Sequence, residues 1–365
     1  MERLNWHMAE ELSRHAEVRI VGPTGSAASA PAGIDVREVP LRPVWKFLLH
    51  AWLISRSEAH AWRPDIVLAG SGLTAPIVRG AAKLAGAKSV VYAHGLDVAL
   101  QHPAYRAIWF PAIRRMDRVV ANSSSTAQLC RDIGVSADRI GIIHPGVELP
   151  PPADAATDRS IAEFREREGL QARTLLLSVG RLSARKGMRE FVGQALPRIV
   201  AARPDAILLI IGDAPTQALY AETQTPASIQ AAADAAGVGR HIRFLGVITD
   251  FAELSVAYRA ANVHVFPVRS ISGDPEGFGM VAVEAAAHGL PTVAFATGGV
   301  LDAVSEGVSG QLIPPGDYKK LADTVCTLLG DGGVWAAGCT QFARGFAWEV
   351  FGTQLFEVLC HMHST

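Results

Sequence analysis

DPEGFGMVAVEAAAHGLP, residues 274–291, reads as a glycine turn running into an apolar helix. Gly277, Phe278 and Gly279 make a tight turn, and Met280, Val281, Val283, Ala285 and Ala286 continue as a helix that stops near Gly289 and Pro291. A strand predicted over residues 263–266 leads in. Strand, glycine turn and helix in that order leave backbone N–H groups and the positive end of a helix dipole facing outward, a setting for a phosphate or a polar sugar. Glu276 precedes the helix and Glu284 falls about one and a half turns inside it. Both are hydrogen-bond acceptors, so the pair suits two parts of an extended, hydroxyl-rich ligand. Either glutamate alone reads more readily as an ordinary first-turn or solvated residue. Glu284, however, lies in an almost wholly apolar segment, where an unpaired carboxylate is costly.

The chain has 365 residues, enough for two domains. With 49% hydrophobic residues, 19% charged residues and a formal charge of −1, it is neither a disordered chain nor a nucleic-acid binder. Cys130, Cys326, Cys339 and Cys360 show no CxxC spacing, which argues against a zinc site or a disulfide framework and for a reducing, cytoplasmic setting. No run approaches the roughly 18 apolar residues of a spanning helix, and Glu2 after Met1 does not begin a secretory signal. The segment VWKFLLHAWLI (44–54) fits a buried helix better than one lying on a membrane surface, which stays as the alternative.

Outward from the central stretch, short apolar runs alternate with helical ones along the whole chain. Leu4, Met8 and Leu12 recur at helical spacing, so the chain opens directly on a helix, with a strand over 18–21. A parallel α/β sheet ordinarily begins with a strand and a glycine turn. Strands are predicted at 66–69, 89–93 and 119–121, then at 175–179, 207–211, 242–245, 263–266 and 292–295. His94, followed by Gly95 and Asp97, stands at the carboxyl end of one of them, where such sheets bind ligands, although an ordinary loop histidine fits as well. Asn122 and Ser123 follow the next strand, as a helix cap or as cleft-lining groups. The loop from Gly70 to Ala75 matches GxGxxA, but the next strand lacks the acid that holds a cofactor ribose.

The proline-rich run through Pro150, Pro151 and Pro152 marks a boundary. The expected division is an acceptor domain over 1–152, a donor domain over 153–340, and a C-terminal segment over 341–365 packing back across the domains. In the second series GRLSARKG (180–187) follows a strand. Its crowded cations suit a pyrophosphate, and its glycines allow close approach. Gly212 and Asp213, Gly246 and Val247, and Gly298 and Gly299 also stand at strand ends.

Taken together, HGLD (94–97), GRLSARKG, IGDAP (211–215), FLG (244–246), PEGFGMVAVEAAAHGLP (275–291) and TGG (297–299) resemble the retaining glycosyltransferases of family 4, the glycogen-synthase-like group. The resemblance spans nearly the whole chain and implies an α/β GT-B fold, two Rossmann-like domains facing a central cleft. It implies that Gly180, Arg181 and Lys186 bind the diphosphate of a nucleotide sugar. Glu284 would hold the ribose, with Gly212, Asp213 and Val247 about the nucleotide. Glu276, Gly277, Phe278, Gly279 and Met280 would hold the transferred sugar. His94 would sit beside the reacting carbon, and Asp97, Asn122, Ser123, Gly298 and Gly299 would line the cleft. Such transfer needs positive potential at the leaving diphosphate and no metal or other cofactor.

The family pattern also has a strand and a Gly-Gly-Met-Glu-Arg-like loop before the first helix. Here only Met1-Glu2-Arg3 corresponds, so the first domain is expected to be truncated at its start, through a misplaced start or a true loss. The expected activity is hexosyl transfer, for instance mannosyl, to a glycan or lipid-linked acceptor. The expected setting is the cytoplasm, with peripheral contact at the cytoplasmic face of the inner membrane. A truncated relative that binds nucleotide without transferring sugar is the alternative. An NAD-dependent oxidoreductase fits less well, for want of the ribose acid.

Overall fold

A computed structural model describes residues 2–214, 224–331 and 333–362. Pro215, the last residue of the IGDAP motif, and Met1 lie outside them. The chain forms two compact units, Met1–Gly146 with Trp348–Thr365, and Val147–Ala347. The division falls at Gly146, ahead of the prolines at 150–152. Val147 is already buried in the second unit, where its N–H donates to the Phe346 carbonyl at 2.7 Å.

The first unit opens on helix α1 (Glu2–Ser13). Strands β1 (Arg19–Pro23) and β2 (Asp35–Val39) pair in parallel as a two-stranded sheet. Helix α2 (Val44–Trp62) follows. Strands β3 (Ile66–Ala69), β4 (Lys88–Ala93), β5 (Arg118–Ala121) and β6 (Ile140–Ile142) form a second parallel sheet in chain order. The helix Trp348–His361 returns to this unit and packs along α1. His7 stacks on Trp348 at 4.0 Å, and Gly352 presses so closely on Glu11 that a Cβ there would lie 2.5 Å from the Glu11 Cβ.

The second unit holds one six-stranded parallel sheet, β7 (Thr174–Val179), β8 (Ala206–Ile211), β9 (Ile242–Gly246), β10 (Val263–Phe266), β11 (Thr292–Phe295) and β12 (Gly310–Ile313). Their order is β12-β11-β10-β7-β8-β9. Helices cover both faces, which is why β8, AILLII, is an unbroken apolar run buried along its whole length rather than an alternating one. Leu208 and Ile210 pack into one core layer with Phe191 and Leu321, while Leu209 and Ile211 pack into the other with Tyr258 and Leu290. The fold is α/β throughout. The four cysteines are unpaired, and Cys130 and Cys339 are buried.

Candidate functional site

In the second unit the sheet winds outward in two directions, β8 and β9 on one side and β10 to β12 on the other. The reversal leaves β7 and β10 adjacent, with their carboxyl ends at the same edge and their following loops splayed apart, the place where parallel α/β sheets take ligands. From β7 comes the GRLSARKG loop and from β10 the loop that carries Asp274 and Glu276. The two are laced together by the Arg269 N–H, which donates to the Arg185 carbonyl at 2.8 Å. Gly187 has φ +70°, and a Cβ there would lie 2.3 Å from the Pro267 carbonyl oxygen. Only glycine permits that approach.

At this junction four charges meet. Lys186 Nζ donates to Glu276 Oε2 at 2.8 Å, and an Arg185 Nη1 hydrogen bond reaches the same oxygen. Arg185 Nε lies 3.2 Å from Asp274 Oδ1, an ion pair without hydrogen-bond alignment. The Arg185, Lys186 and Glu276 side chains are 10%, 15% and 11% exposed, so two cations and two acids neutralise one another largely out of water. Lys186 also stands over the Phe266 ring, 4.5 Å from its centroid. Burial raises the Glu276 carboxyl, but Lys186 and Arg185 outweigh it and hold the group below the usual carboxylate range. Burial lowers Lys186, with Arg185 and Arg181 adding to the effect and Glu276 opposing it. Arg181, at the start of the loop, is exposed.

Glycines fit the neighbouring loops around this cluster. The Gly299 N–H donates to the Glu276 carbonyl at 2.9 Å, and a Cβ on Gly299 would lie 2.2 Å from the Gly277 oxygen. A Cβ on Gly298 would lie 2.7 Å from the Glu276 oxygen. Gly180 and Gly212, at the ends of β7 and β8, touch backbone to backbone, and the Leu182 N–H donates to the Asp213 carbonyl at 2.9 Å. The Gly212 N–H reaches the Gly246 carbonyl at 2.7 Å, and the Val247 side chain beyond it is exposed.

Gly279, with φ +97°, caps the helix Met280–Ala287. Phe278 is buried against Phe346, ring centroids 5.7 Å apart, so its side chain belongs to the core. Met280 is half-buried. Further along the helix the Tyr258 hydroxyl donates to Glu284 Oε2 at 3.2 Å. His288 stacks on Tyr258 at 4.9 Å, and its Nδ1–H donates to the Glu284 carbonyl at 2.7 Å, leaving Nε2 2.9 Å from Ser255 Oγ.

A second polar cluster lies at the carboxyl ends of β3, β4 and β5 in the first unit. His94 Nε2 donates to the Gly70 carbonyl at 3.1 Å, and burial lowers the pKa of the ring. Asp97 Oδ2 accepts the Gly72 N–H at 2.9 Å and the His94 N–H at 3.0 Å, which ties the two loops together. Ser123 is the N-cap of the helix Ser124–Asp132 and accepts the Thr126 N–H at 3.0 Å. Asn122 is buried, and its Oδ1 has no hydrogen-bond partner among the described residues.

Lys186 and Glu276 are therefore in contact, with Gly298 and Gly299 supporting their loop, while Gly180, Gly212 and Asp213 meet through their backbones and Glu284 lies further along the helix. His94, Asp97, Asn122 and Ser123 belong to the first unit's cluster. Sequence reasoning assigned no role to Arg185 or Asp274. Arg185 was visible only as one cation of several in its loop, and nothing in the spacing showed that it turns inward.

Two histidines, His264 buried and His288 half-buried, flank the site. His264, on β10, has Nδ1 3.0 Å from Thr292 Oγ1, and burial, with Lys186 beside it, pushes its pKa down to about 3. Burial likewise pushes His288 down to about 4. Both rings stay neutral in the folded chain yet titrate near 6.5 once unfolded. Their contribution is therefore complete above that value and is lost as the unfolded chain takes up protons the folded one refuses, from 6.5 down to about 4 for His288 and about 3 for His264. Melting temperature should fall steeply between about pH 6.5 and pH 5, each ring supplying about 1.4 kcal/mol per pH unit. His264→Gln should remove its share of the slope; an unaltered slope would assign the acid response to other groups.

Comparison with known proteins gives two family matches that divide the chain as the sheets do. Residues 1–149 match the model described as Glycosyltransferase Family 4, and residues 173–331 match Glycosyl transferases group 1. The chain is 31% identical over 358 residues to D-inositol 3-phosphate glycosyltransferase 1 of Catenulispora acidiphila, covering 95% of this chain and 77% of that one. It is 32% identical over 307 residues to the D-inositol 3-phosphate glycosyltransferase of Mycobacterium sp. strain KMS, covering 82% of this chain and 63% of that one. The matched part thus spans less than two thirds of that mycobacterial relative. A GDP-mannose-dependent alpha-(1-6)-phosphatidylinositol monomannoside mannosyltransferase of Mycolicibacterium smegmatis is 28% identical, over 96% of this chain and 91% of that one. Among solved structures, Anabaena HepE in complex with UDP-glucose superposes with a TM-score of 0.76 at 21% identity, over 99% of this chain and 95% of that one. The fold is of the GT-B type.

Proposed function

This chain belongs to the family 4 glycosyltransferases, and from that membership we propose that it moves a hexosyl group, mannosyl in the first instance, from a nucleotide-diphosphate sugar to a glycan or lipid-linked acceptor. One observation carries the reading: at the β7/β10 reversal, two mostly buried cations converge on one carboxylate next to a helix N-terminus. Lys186 and Arg181 neutralise the leaving diphosphate. Glu276 and the amides of residues 278–280 hold the sugar, and Glu284, aligned by Tyr258, holds the ribose hydroxyls. The likeness to a GDP-mannose-dependent enzyme supports the mannosyl donor, and that relative's phosphatidylinositol-linked acceptor supports a lipid-linked one here.

In the proposed step the bond from the anomeric carbon to the diphosphate oxygen breaks, and the acceptor hydroxyl oxygen bonds to that carbon on the same face. The hydroxyl proton leaves with the diphosphate. Configuration is retained, and no metal takes part. His94 contacts a hydroxyl of the sugar near the reacting carbon. The site of action is cytoplasmic, with peripheral contact at the membrane for a lipid-linked acceptor. No helix among the described residues is long and apolar enough to cross a bilayer.

Titration calorimetry with GDP and UDP, run beside a transfer assay using the matching sugar donors, tests the reading. Binding with turnover is expected. Binding without turnover would identify a nucleotide-binding relative instead, and no binding would remove the donor site altogether. Glu284→Ala should weaken nucleotide binding about tenfold, the worth of a lost charge-assisted hydrogen bond. Equal affinity before and after would deny Glu284 the ribose.

A further inference from the structure

Helix α2 is apolar on two faces, and the first unit covers only one of them. Phe47, Leu48, Ala51 and Ile54 pack inward against Val21, Val39 and Ile77. On the opposite side Trp45, Leu49, Trp52 and Leu53 are 62%, 46%, 41% and 50% exposed. Their spacing, i, i+4, i+7 and i+8, makes one continuous stripe along the helix. Water-facing tryptophan and leucine in such a row mark a binding surface rather than scattered surface apolarity.

The charges that the helix itself sets beside the stripe are of one sign. Lys46 and Arg56 reach over the Trp45 and Trp52 rings, with 5.5 Å from Lys46 Nζ and 5.0 Å from Arg56 Cζ to the ring centroids, and Arg42 is exposed just before the helix. The helix has a single acid, Glu58, and it is turned away from the stripe. Its carboxylate is bound by Arg37 Nε at 2.9 Å and Arg19 Nη1 at 3.4 Å. Indole rings flanked by long cations suit the headgroup level of a bilayer, where the rings enter the acyl boundary and the cations meet lipid phosphates.

We propose that this face of α2 docks the protein on an anionic membrane surface, the helix lying in the interface plane. The inference names the surface for the membrane contact proposed above and does not depend on sugar transfer. Anionic lipid is favoured over a protein partner because the exposed side of the helix carries cations without a compensating acid.

The test is co-sedimentation of the full chain with phosphatidylcholine vesicles, with and without phosphatidylglycerol. Binding to the anionic vesicles, weakened by salt, is expected. A Trp45→Ser/Leu49→Ser/Trp52→Ser variant should lose at least about tenfold in partitioning. Lys46→Gln/Arg56→Gln, which keeps the apolar stripe, should lose the preference for anionic vesicles; this pair also stands as the test if the triple variant does not fold. Retained nucleotide binding confirms that either variant is folded. Absence of binding by the parent protein, or equal binding by both variants, would overturn the proposal. So would a dimer in sedimentation velocity that the triple variant converts to monomer without any vesicle binding, since the stripe would then join two copies of the chain.

Discussion

Glu276→Gln should lower sugar transfer about a thousandfold, roughly 4 kcal/mol at the transition state, while UDP or GDP binds within a few-fold of the parent affinity. The split follows from what the carboxylate does in the structure. Glu276 Oε2 is the shared counter-ion of Lys186 and Arg185. In the proposed reading a diphosphate brings acceptors to the same cations, and the carboxylate exchanges cation contacts for sugar hydroxyls. Glutamine keeps the shape but not the charge. It no longer competes with the diphosphate, which keeps nucleotide affinity level or slightly raised, and it stabilises the developing positive charge on the sugar far less.

A second readout separates this from a merely structural role. With Glu276 neutral, Arg185 keeps only Asp274 and Lys186 loses its ion-pair partner among the described residues, so this variant should melt at lower temperature. Saturating nucleoside diphosphate should recover most of that loss, because it restores the missing negative charge and binds only the folded chain. A variant that loses nucleotide affinity and activity in equal measure, with no such recovery, would reduce Glu276 to a scaffold residue.

Much of this site was legible because chemistry and backbone geometry coincide in its motifs. A glycine turn between an apolar strand and an apolar helix has few interpretations, and β3, β10 and β11 begin and end where their apolar runs do. The short strands β2, β6 and β12 were not read, since DVREV is charged and exposed along most of its length and IGI and GQLI each carry a glycine. Strand order was also hidden, because local sequence carries no record of which strands become neighbours. That order is what brings residue 186 to residue 276. Arg185 escaped notice for the same reason: its partners, Asp274 and Glu276, lie about 90 residues further along the chain. In the segment 44–54 the apolar pattern favoured a buried helix, and the structure buries only one face of it, leaving the other bare.

Lys186→Met should weaken nucleoside diphosphate binding about a hundredfold, near 3 kcal/mol, and leave nucleoside binding unchanged. Lys186 is the better placed of the loop's three cations. Arg181 is exposed and screened, and Arg185 is held by Asp274 as well as Glu276. The Lys186 ammonium is mostly buried above an aromatic ring, and its only ion-pair partner among the described residues is Glu276. A cation in that setting meets an incoming phosphate with little water to screen it, so its contribution is large and confined to the phosphates. Stability should change less than in Glu276→Gln, because Glu276 keeps Arg185 as its partner once the lysine is gone. Calorimetry with the nucleoside, its monophosphate and its diphosphate gives the discriminating series. A loss that grows from nucleoside to diphosphate places Lys186 on the pyrophosphate, whereas an equal loss for all three would mean that the substitution had disturbed the whole β7 loop and that the diphosphate rests on other groups.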